Sequence, residues 1–250
     1  MTNKYMYFIA NWKMFGSLKS LKSLNKVIKF SKFNKNNKFK LIYCPPYTLL
    51  NLFFKKFINS EIDIGGQNCH HVDIDGPYTG SINSKMLKNL GAKYVILGHS
   101  ENRMNGESNS LINKKIKSSI KNGLKVIFCI GETLAQKKKK LTNRILVNQI
   151  VNALKGVKKK NCILFAYEPV WSIGTGKIPT KEDLENSINF IKIKLKKKYK
   201  LKNPKVIYGG SVNAKNITYL NKINSIDGFL VGLASQKAKN FIDIVKKTFN

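Results

Sequence analysis

Eight short apolar segments recur along the 250-residue chain, and each is followed by a lysine-rich stretch with helical periodicity. We predict strands at Tyr5–Ala10, Phe39–Cys44, Ile62–Gly65, Tyr94–Leu97, Lys125–Ile130, Ile163–Tyr167, Lys205–Tyr208 and Gly228–Val231. Examples of the predicted helices are Leu18–Phe30, Ser110–Lys121 and Lys181–Lys198. A regular alternation of strand and helix favours an α/β fold with a parallel sheet.

The number of strand–helix units further limits the folds that the chain can adopt. Eight strand–helix units follow one another without a linker or a change in composition, so we expect one domain over residues 1–250. Such a chain fits a single closed (β/α)8 TIM barrel of eight parallel strands better than an open doubly wound sheet. Because the active site of such a barrel lies at the carboxyl ends of its strands, polar residues just after each predicted strand are the candidates.

Composition limits the class of protein. A hydrophobic fraction of 42% is enough for a large core, and no apolar run reaches the 18 residues of a membrane span. The first residues lack the apolar region and cleavage site of a signal peptide, so we predict a cytoplasmic protein. The four cysteines, Cys44, Cys69, Cys129 and Cys162, show no paired or metal-ligand spacing, and we expect free thiols and no metal site.

A net charge of +33 raises the alternative of a nucleic-acid-binding protein. Arg103 and Arg144 are the only arginines, whereas phosphate and base recognition favour the guanidinium group. The lysines are spread over the predicted helices, so we favour a solvated surface without a specific nucleic-acid site. The positive field would still attract anionic metabolites. Salt-sensitive retardation of DNA would distinguish a nucleic-acid-binding protein from an enzyme.

A glutamate at the end of the sixth predicted strand is the first catalytic candidate. Glu168 precedes Pro169, which cannot donate a backbone hydrogen bond, so the strand ends there. Trp171 is a bulky anchor, and Ser172–Gly176 contains small residues whose amides can approach a phosphate closely. An isolated glutamate at such a position is a surface residue about as often as a catalytic one. The sequence after it is typical of a hinged lid beside a carboxylate base.

Other strand ends carry polar candidates too. His99 follows the fourth strand where a short helix could begin, a position that favours neutral imidazole. Asn11 and Lys13 leave the first strand, and a cation there could neutralise a developing oxyanion. Gly209–Ser211 and Gly232 follow the last two strands, where barrel enzymes often bind phosphate. A lone histidine or a glycine pair is weak evidence, but together these residues favour an active site.

Six motifs together resemble the triosephosphate isomerase family in order and spacing. They are Asn11-Trp12-Lys13, Gly98-His99-Ser100-Glu101, Cys129-Ile130-Gly131-Glu132, Ala166–Lys177, Tyr208-Gly209-Gly210-Ser211 and Gly228-Phe229-Leu230-Val231-Gly232. The resemblance covers almost the whole chain. It implies a cofactor-independent isomerase that interconverts dihydroxyacetone phosphate and D-glyceraldehyde 3-phosphate through an enediolate, in glycolysis and gluconeogenesis. Another barrel enzyme acting on a phosphorylated metabolite would share the phosphate cradle but has no reason to combine these motifs.

The resemblance also implies residue roles. Glu168 would transfer the proton, neutral His99 would polarise the carbonyl, and Lys13 with Asn11 would stabilise the negative charge. Glu101 would hold Lys13 in place. The other implied residues are Gly174, Ser211, Gly232 and Leu233, which would bind the phosphate, and Tyr208 and Thr79, which would support the site.

The resemblance further implies a homodimer. The segment Gln67–Ile82 has no clear helix or strand and resembles the loop with which family members dock into a partner subunit. Thr79 would then support the Asn-x-Lys motif across the interface. Two residues depart from the family pattern near the site. Leu233 stands where a second glycine is usual, and a positive φ there would be strained; Ser172 replaces a common alanine.

Overall fold

Eight parallel strands close into a barrel in the computed structural model, which describes residues 4–34 and 38–249. The strands are β1 Met6–Asn11, β2 Phe39–Cys44, β3 Asp63–Gly66, β4 Tyr94–Leu97, β5 Lys125–Ile130, β6 Ile163–Tyr167, β7 Val206–Tyr208 and β8 Gly228–Val231. Neighbours pair in chain order, and β8 pairs with β1 in the register Ile9↔Leu230. The predicted (β/α)8 barrel is confirmed.

Helices surround the barrel. The α-helices in the described ranges are α1 Leu21–Phe33, α2 Tyr47–Phe57, α3 Ser84–Asn89, α4 Ser100–Met104, α5 Asn109–Lys121, α6 Leu134–Lys138, α7 Thr142–Ala153, α8 Lys181–Tyr199, α9 Ile217–Asn221 and α10 Ala238–Phe249. Short 3-10 turns lie at Leu18–Ser20, Lys160–Cys162, Val170–Ser172 and Leu233–Ser235. In the part of the chain that the structure describes, no helix combines the length and apolar character needed to cross a bilayer.

Alternate residues of the strands contribute to two apolar layers. The layer inside the barrel contains Ile9, Ile42, Cys44, Tyr94, Ile96, Ile127, Cys129, Leu164, Ala166, Ile207 and Leu230. The layer between strands and helices includes Phe8, Phe128, Phe165 and Phe229, which are fully buried. Because both faces of each strand are covered, the strands appear in the sequence as continuous apolar runs.

The predicted strand bounds agree with the structure for β2, β4, β5, β6 and β8, and differ by one residue at one or both ends of β1, β3 and β7. The predicted helix Leu18–Phe30 is wrong at both ends, since a 3-10 turn precedes α1 and the helix continues to Phe33. Leu18 is 67% exposed, so apolar periodicity does not mark where the α-helix begins. Helices α5 and α8 are each one residue longer than predicted.

Helix α8 fixes the chain just after the predicted lid. The Thr180 side chain accepts a hydrogen bond from the Asp183 amide at 3.1 Å, which caps the helix. Glu182 and Asp183 lie in its first turn and Lys196–Lys198 in its last, the arrangement that the helix dipole favours. The lid therefore ends against a well-anchored helix.

Candidate active site

The carboxyl ends of the strands surround a cavity of about 300 Å³. All of the residues predicted to act on or bind the substrate line this one cavity. They are Asn11, Lys13, His99, Glu168, Gly174, Ser211, Gly232 and Leu233. The predicted supporting residues Glu101, Tyr208 and Thr79 lie outside its wall. The closed barrel thus brings residues that are up to 222 positions apart in the sequence to one cavity at the carboxyl ends of the strands.

Glu168 is the buried carboxylate of the cavity, with 3% of its surface exposed. Its Oε1 lies 3.4 Å from His99 Nε2, and its Oε2 has no hydrogen-bond partner among the described residues. A Cβ at Gly209 would lie 2.7 Å from Glu168 Cγ, so the glycine leaves room for the carboxylate. Burial raises the pKa of Glu168, against the lowering effects of His99, Cys129 and Lys13. A carboxylate with a raised pKa is a stronger base.

His99 immediately precedes α4 and caps it. Its Nδ1 accepts a hydrogen bond from the Glu101 amide at 3.3 Å. A ring nitrogen that accepts a hydrogen bond carries no proton, so this contact favours the tautomer with its proton on Nε2. Because Nε2 is the atom beside Glu168 in the cavity, the ring can donate a hydrogen bond to a bound carbonyl oxygen.

Lys13 has a backbone conformation that is unusual for a residue with a side chain, with φ of +54°. Its amide donates to Asn11 Oδ1 at 3.2 Å, and its carbonyl accepts from Gln67 Nε2 at 2.8 Å. Its Nζ lies 2.6 Å from Glu101 Oε1, the partner that the resemblance implied. Surrounding contacts thus hold a strained backbone so that the ammonium group lies at the cavity wall.

The wall formed by β7 and β8 is rich in backbone amides. It includes Gly209–Ser211 and Gly232, followed by the 3-10 turn that begins at Leu233. Leu233 does not adopt a positive φ, so the strain considered for a leucine at this position is absent. The amide of Leu233 can therefore bind an anion although the residue is not a glycine.

The lid, Ser172–Lys177, covers one side of the cavity and is held at its base by Trp171. The indole Nε1 donates to Glu132 Oε1 at 3.1 Å, and Lys137 Nζ lies 4.5 Å from the ring centroid. Tyr167 also donates to the Glu132 carboxylate, at 3.2 Å from Oε2. Burial raises the pKa of Glu132, whereas its hydrogen bonds lower it.

The sequence predicted Trp171 as an anchor but not the residues that hold it, Glu132 and Lys137. Glu132 belonged to a recognised motif but received no role, and its position one residue beyond a glycine at the end of β5 was the available signal. Lys137 is one of a run of lysines, so no sequence signal separates it from its neighbours.

A second cavity of about 570 Å³ adjoins the first and shares Asn11, Lys13 and His99 with it. Part of its wall comes from the segment 67–82, in which the described residues form no helix or strand, and Met14 at its edge is 93% exposed. Thr79 is exposed in the same segment. Among the hydrogen bonds of residues 4–34 and 38–249, none joins Thr79 to the site, so its supporting role stays a prediction.

The described ranges contain no group of three or more histidine, cysteine or acidic side chains placed to hold a metal ion. Cys129 is the cysteine beside the site, and burial holds the pKa of its thiol well above the usual range. It therefore contacts Glu168 as a neutral group.

The chain is similar in sequence and in structure to known proteins of one family. The model of the family described as triosephosphate isomerase matches residues 6–248. The chain is 41% identical over 252 aligned positions to triosephosphate isomerase of Dictyostelium discoideum, and the alignment covers 98% of this chain and 97% of that protein. It is 40% identical over 243 residues to that of Dictyoglomus thermophilum, covering 95% and 97%. The crystal structure of triosephosphate isomerase from Bartonella henselae superposes with a TM-score of 0.89 at 33% identity, covering 98% of this chain and 100% of that one.

Proposed function

The chain belongs to the triosephosphate isomerase family, and we propose that Glu168, His99 and Lys13 carry out that family's reaction in the cavity described above. The protein interconverts dihydroxyacetone phosphate and D-glyceraldehyde 3-phosphate, a step of glycolysis. One observation carries the proposed roles: a buried carboxylate lies 3.4 Å from an imidazole in a cavity that the lid covers on one side.

Glu168 acts as the base. Its carboxylate removes a proton from the carbon next to the substrate carbonyl, and the C–H electron pair becomes the double bond of an enediolate. The same carboxyl group then returns a proton to the neighbouring carbon, which converts ketose to aldose. Burial supports this role because it destabilises the charged carboxylate and so strengthens it as a base.

His99 and Lys13 stabilise the charge that appears on the substrate oxygens. The Nε2–H group of His99 donates to the carbonyl oxygen and, because the ring starts neutral, can pass its proton to the enediolate oxygen. Triosephosphate isomerase is a well-known case of catalysis by a neutral histidine, and the Nδ1 contact supports the same state for His99. Lys13 supplies a fixed positive charge, and Asn11 adds an amide donor at the same wall.

We assign the phosphate to the backbone amides of Gly174, Ser211, Gly232 and Leu233, which line the same cavity as the base. The lid then excludes water from the enediolate. Exclusion matters because an exposed enediolate phosphate loses its phosphate group more readily than it takes up a proton.

A homodimer is the proposed active form. The second cavity opens next to Lys13 and His99, and a partner's segment 67–82 can fill it while covering Met14. This would bring the partner's Thr79 to the Asn-x-Lys motif. Sedimentation of Met14→Gln should show weaker dimerisation, whereas Ile193→Gln, an exposed apolar residue on α8, should sediment as the wild type. Equal dimerisation of both variants would contradict this interface.

We also propose a cytoplasmic location, because glycolytic enzymes work where their substrates are made and used. Cell fractionation tests it.

A coupled isomerase assay tests the catalytic assignment. Glu168→Asp withdraws the carboxylate by one methylene, and a displacement of about 1 Å costs about 100-fold in rate. We expect a loss of at least that size in kcat with unchanged binding of inorganic phosphate. Glu182→Asp, the same change at an exposed site, should leave kcat unchanged. Wild-type turnover by Glu168→Asp would overturn the assignment.

A further inference from the structure

Ser172 connects the lid to the strand β7 through its side chain. Its hydroxyl donates to the carbonyl oxygen of Lys177 at 2.7 Å and lies 2.8 Å from the hydroxyl of Tyr208. A serine hydroxyl has a single proton, and here the Lys177 carbonyl takes it. Tyr208 must therefore be the donor in the second contact. The chain of donors runs from Tyr208 through Ser172 to Lys177, so one hydroxyl joins the two ends of the lid to the barrel.

A backbone connection lies beside this side-chain connection. The Ser211 hydroxyl donates to the carbonyl oxygen of Ser172 at 2.7 Å and accepts from the amide of Gly176 at 3.1 Å. Both ends of the lid are thus bound to the turn after β7, and the tip at Ile173 and Gly174 lines the catalytic cavity between them.

Two further observations show that the site is built around the paired hydroxyls. Ser172 is completely buried, so water does not compete for its hydrogen bonds. Gly210 lies against the pair, and a Cβ there would be 2.1 Å from Tyr208 Oη and 2.6 Å from Ser172 Oγ. Only a glycine at position 210 leaves space for both hydroxyls.

We infer that Ser172 is a positioning residue that latches the lid over the enediolate, an inference that rests on the proposed function. Ser172 does not touch the reacting atoms, which lie between Glu168 and His99. Its hydroxyl stabilises the covered arrangement of the lid, and an alanine at this position could make neither of its side-chain bonds.

The latch determines the fate of the intermediate. If the lid opens early, the electron pair of the enediolate expels the phosphate by cleavage of the carbon–oxygen bond. The products are inorganic phosphate and an enol, which takes up a proton at its terminal carbon and loses its hydroxyl proton to become methylglyoxal. A weaker latch therefore raises phosphate release for each isomerisation, a quantity that a change in overall stability does not alter.

The experiment compares Ser172→Ala with Ser31→Ala. Ser31 is a buried serine on α1 whose hydroxyl also donates to a backbone carbonyl, that of Ile28, far from the site. Of the two hydrogen bonds that Ser172→Ala removes, the one with Tyr208 joins the lid to the barrel, and loss of one neutral hydrogen bond changes an equilibrium by about 3- to 10-fold. We expect phosphate release per isomerisation to rise by about that factor in Ser172→Ala and to stay at the wild-type ratio in Ser31→Ala.

Tyr208→Phe provides the second test, because it removes the other partner of the same hydrogen bond. Its effect and that of Ser172→Ala should be non-additive in the double variant. A wild-type release ratio in Ser172→Ala, or additive effects in the double variant, would overturn the latch while leaving the isomerase assignment intact. A wild-type protein that does not isomerise triose phosphates would overturn the proposed function and the latch with it.

Discussion

At the scale of single residues, the site depends on two opposing effects on the pKa of Glu168. Burial destabilises its charge, while His99, Cys129 and Lys13 stabilise it. The net result is a raised pKa, so the carboxylate is a better base than one in water. Its Oε1 lies 3.4 Å from His99 Nε2, so the base and the imidazole face the same part of the cavity.

Direct titration of Glu168 checks this balance. In protein labelled with ¹³C at the glutamate carboxyls, the signal that disappears in Glu168→Gln belongs to Glu168. We expect its midpoint to lie above 4.5, the ordinary glutamate value, and kcat/KM to rise with pH as the group loses its proton. A midpoint at or below 4.5 would show that the neighbouring charges outweigh burial.

Some residues of the site could be predicted from the sequence, and others could not. Glu168, His99 and Lys13 were predictable because each follows a strand within a recognisable local motif. The contacts of Glu132 with Tyr167 and Trp171, and that of Ser172 with Tyr208, were not, since these partners are 35 to 39 residues away in the sequence and become neighbours only when the barrel closes. The role of Thr79 stays a prediction because its partner atoms would lie on a second chain.

At the scale of elements, Asp227 joins three parts of the barrel just before β8. Its carboxylate accepts the Val206 amide of β7 at 2.8 Å and lies 2.7 Å from Lys4 and 2.6 Å from Lys192 of α8. Lys205 approaches to 3.8 Å. Burial raises the pKa of Asp227, but the hydrogen bonds from Lys192, Lys4 and Val206 outweigh it and hold the pKa below its usual value.

Asp227→Asn should therefore destabilise the fold by about 1.5–3 kcal/mol, the range for hydrogen bonds to a charged group. Since the folded-state pKa is depressed, the carboxylate stabilises the protein above its unfolded-state pKa and loses that effect as pH falls through the folded value. The difference between wild type and variant, measured by urea unfolding, should be complete near neutral pH and shrink below 3.8.

Asp243→Asn is the matched control for this prediction. Asp243 pairs with Lys239 on the exposed face of α10, and such surface pairs contribute about 0.5 kcal/mol or less. Equal losses in the two variants would show that Asp227 acts only as another surface charge.

The strands could be predicted well because burial on both faces imposes one simple requirement, an apolar run. Helix ends were less accurate. The start of α1 is set by hydrogen bonds of Ser17 and Ser20 around a 3-10 turn, and an apolar pattern does not report these. The network around Asp227 left no local signal, because its lysines come from distant segments.

At the scale of the whole molecule, the net charge of +33 acts on the proposed dimer. Two such subunits repel one another, and salt reduces the repulsion because the Debye length falls from about 30 Å at 0.01 M to about 8 Å at 0.15 M. We expect the dimer dissociation constant to decrease as salt rises over this range. Sedimentation at nanomolar protein measures it, and a dimer unchanged from low to high salt would count against the prediction.

The proposed reaction depends on one carboxyl group, that of Glu168, which carries the proton between two carbons of the substrate. Isomerisation of dihydroxyacetone phosphate in D2O, followed by NMR, reports this transfer. We predict that wild type forms glyceraldehyde 3-phosphate with deuterium at C2, because the carboxyl proton exchanges with solvent, and that Glu168→Gln loses both turnover and deuterium uptake. Turnover or deuterium uptake that persists in Glu168→Gln would contradict proton transfer by this group.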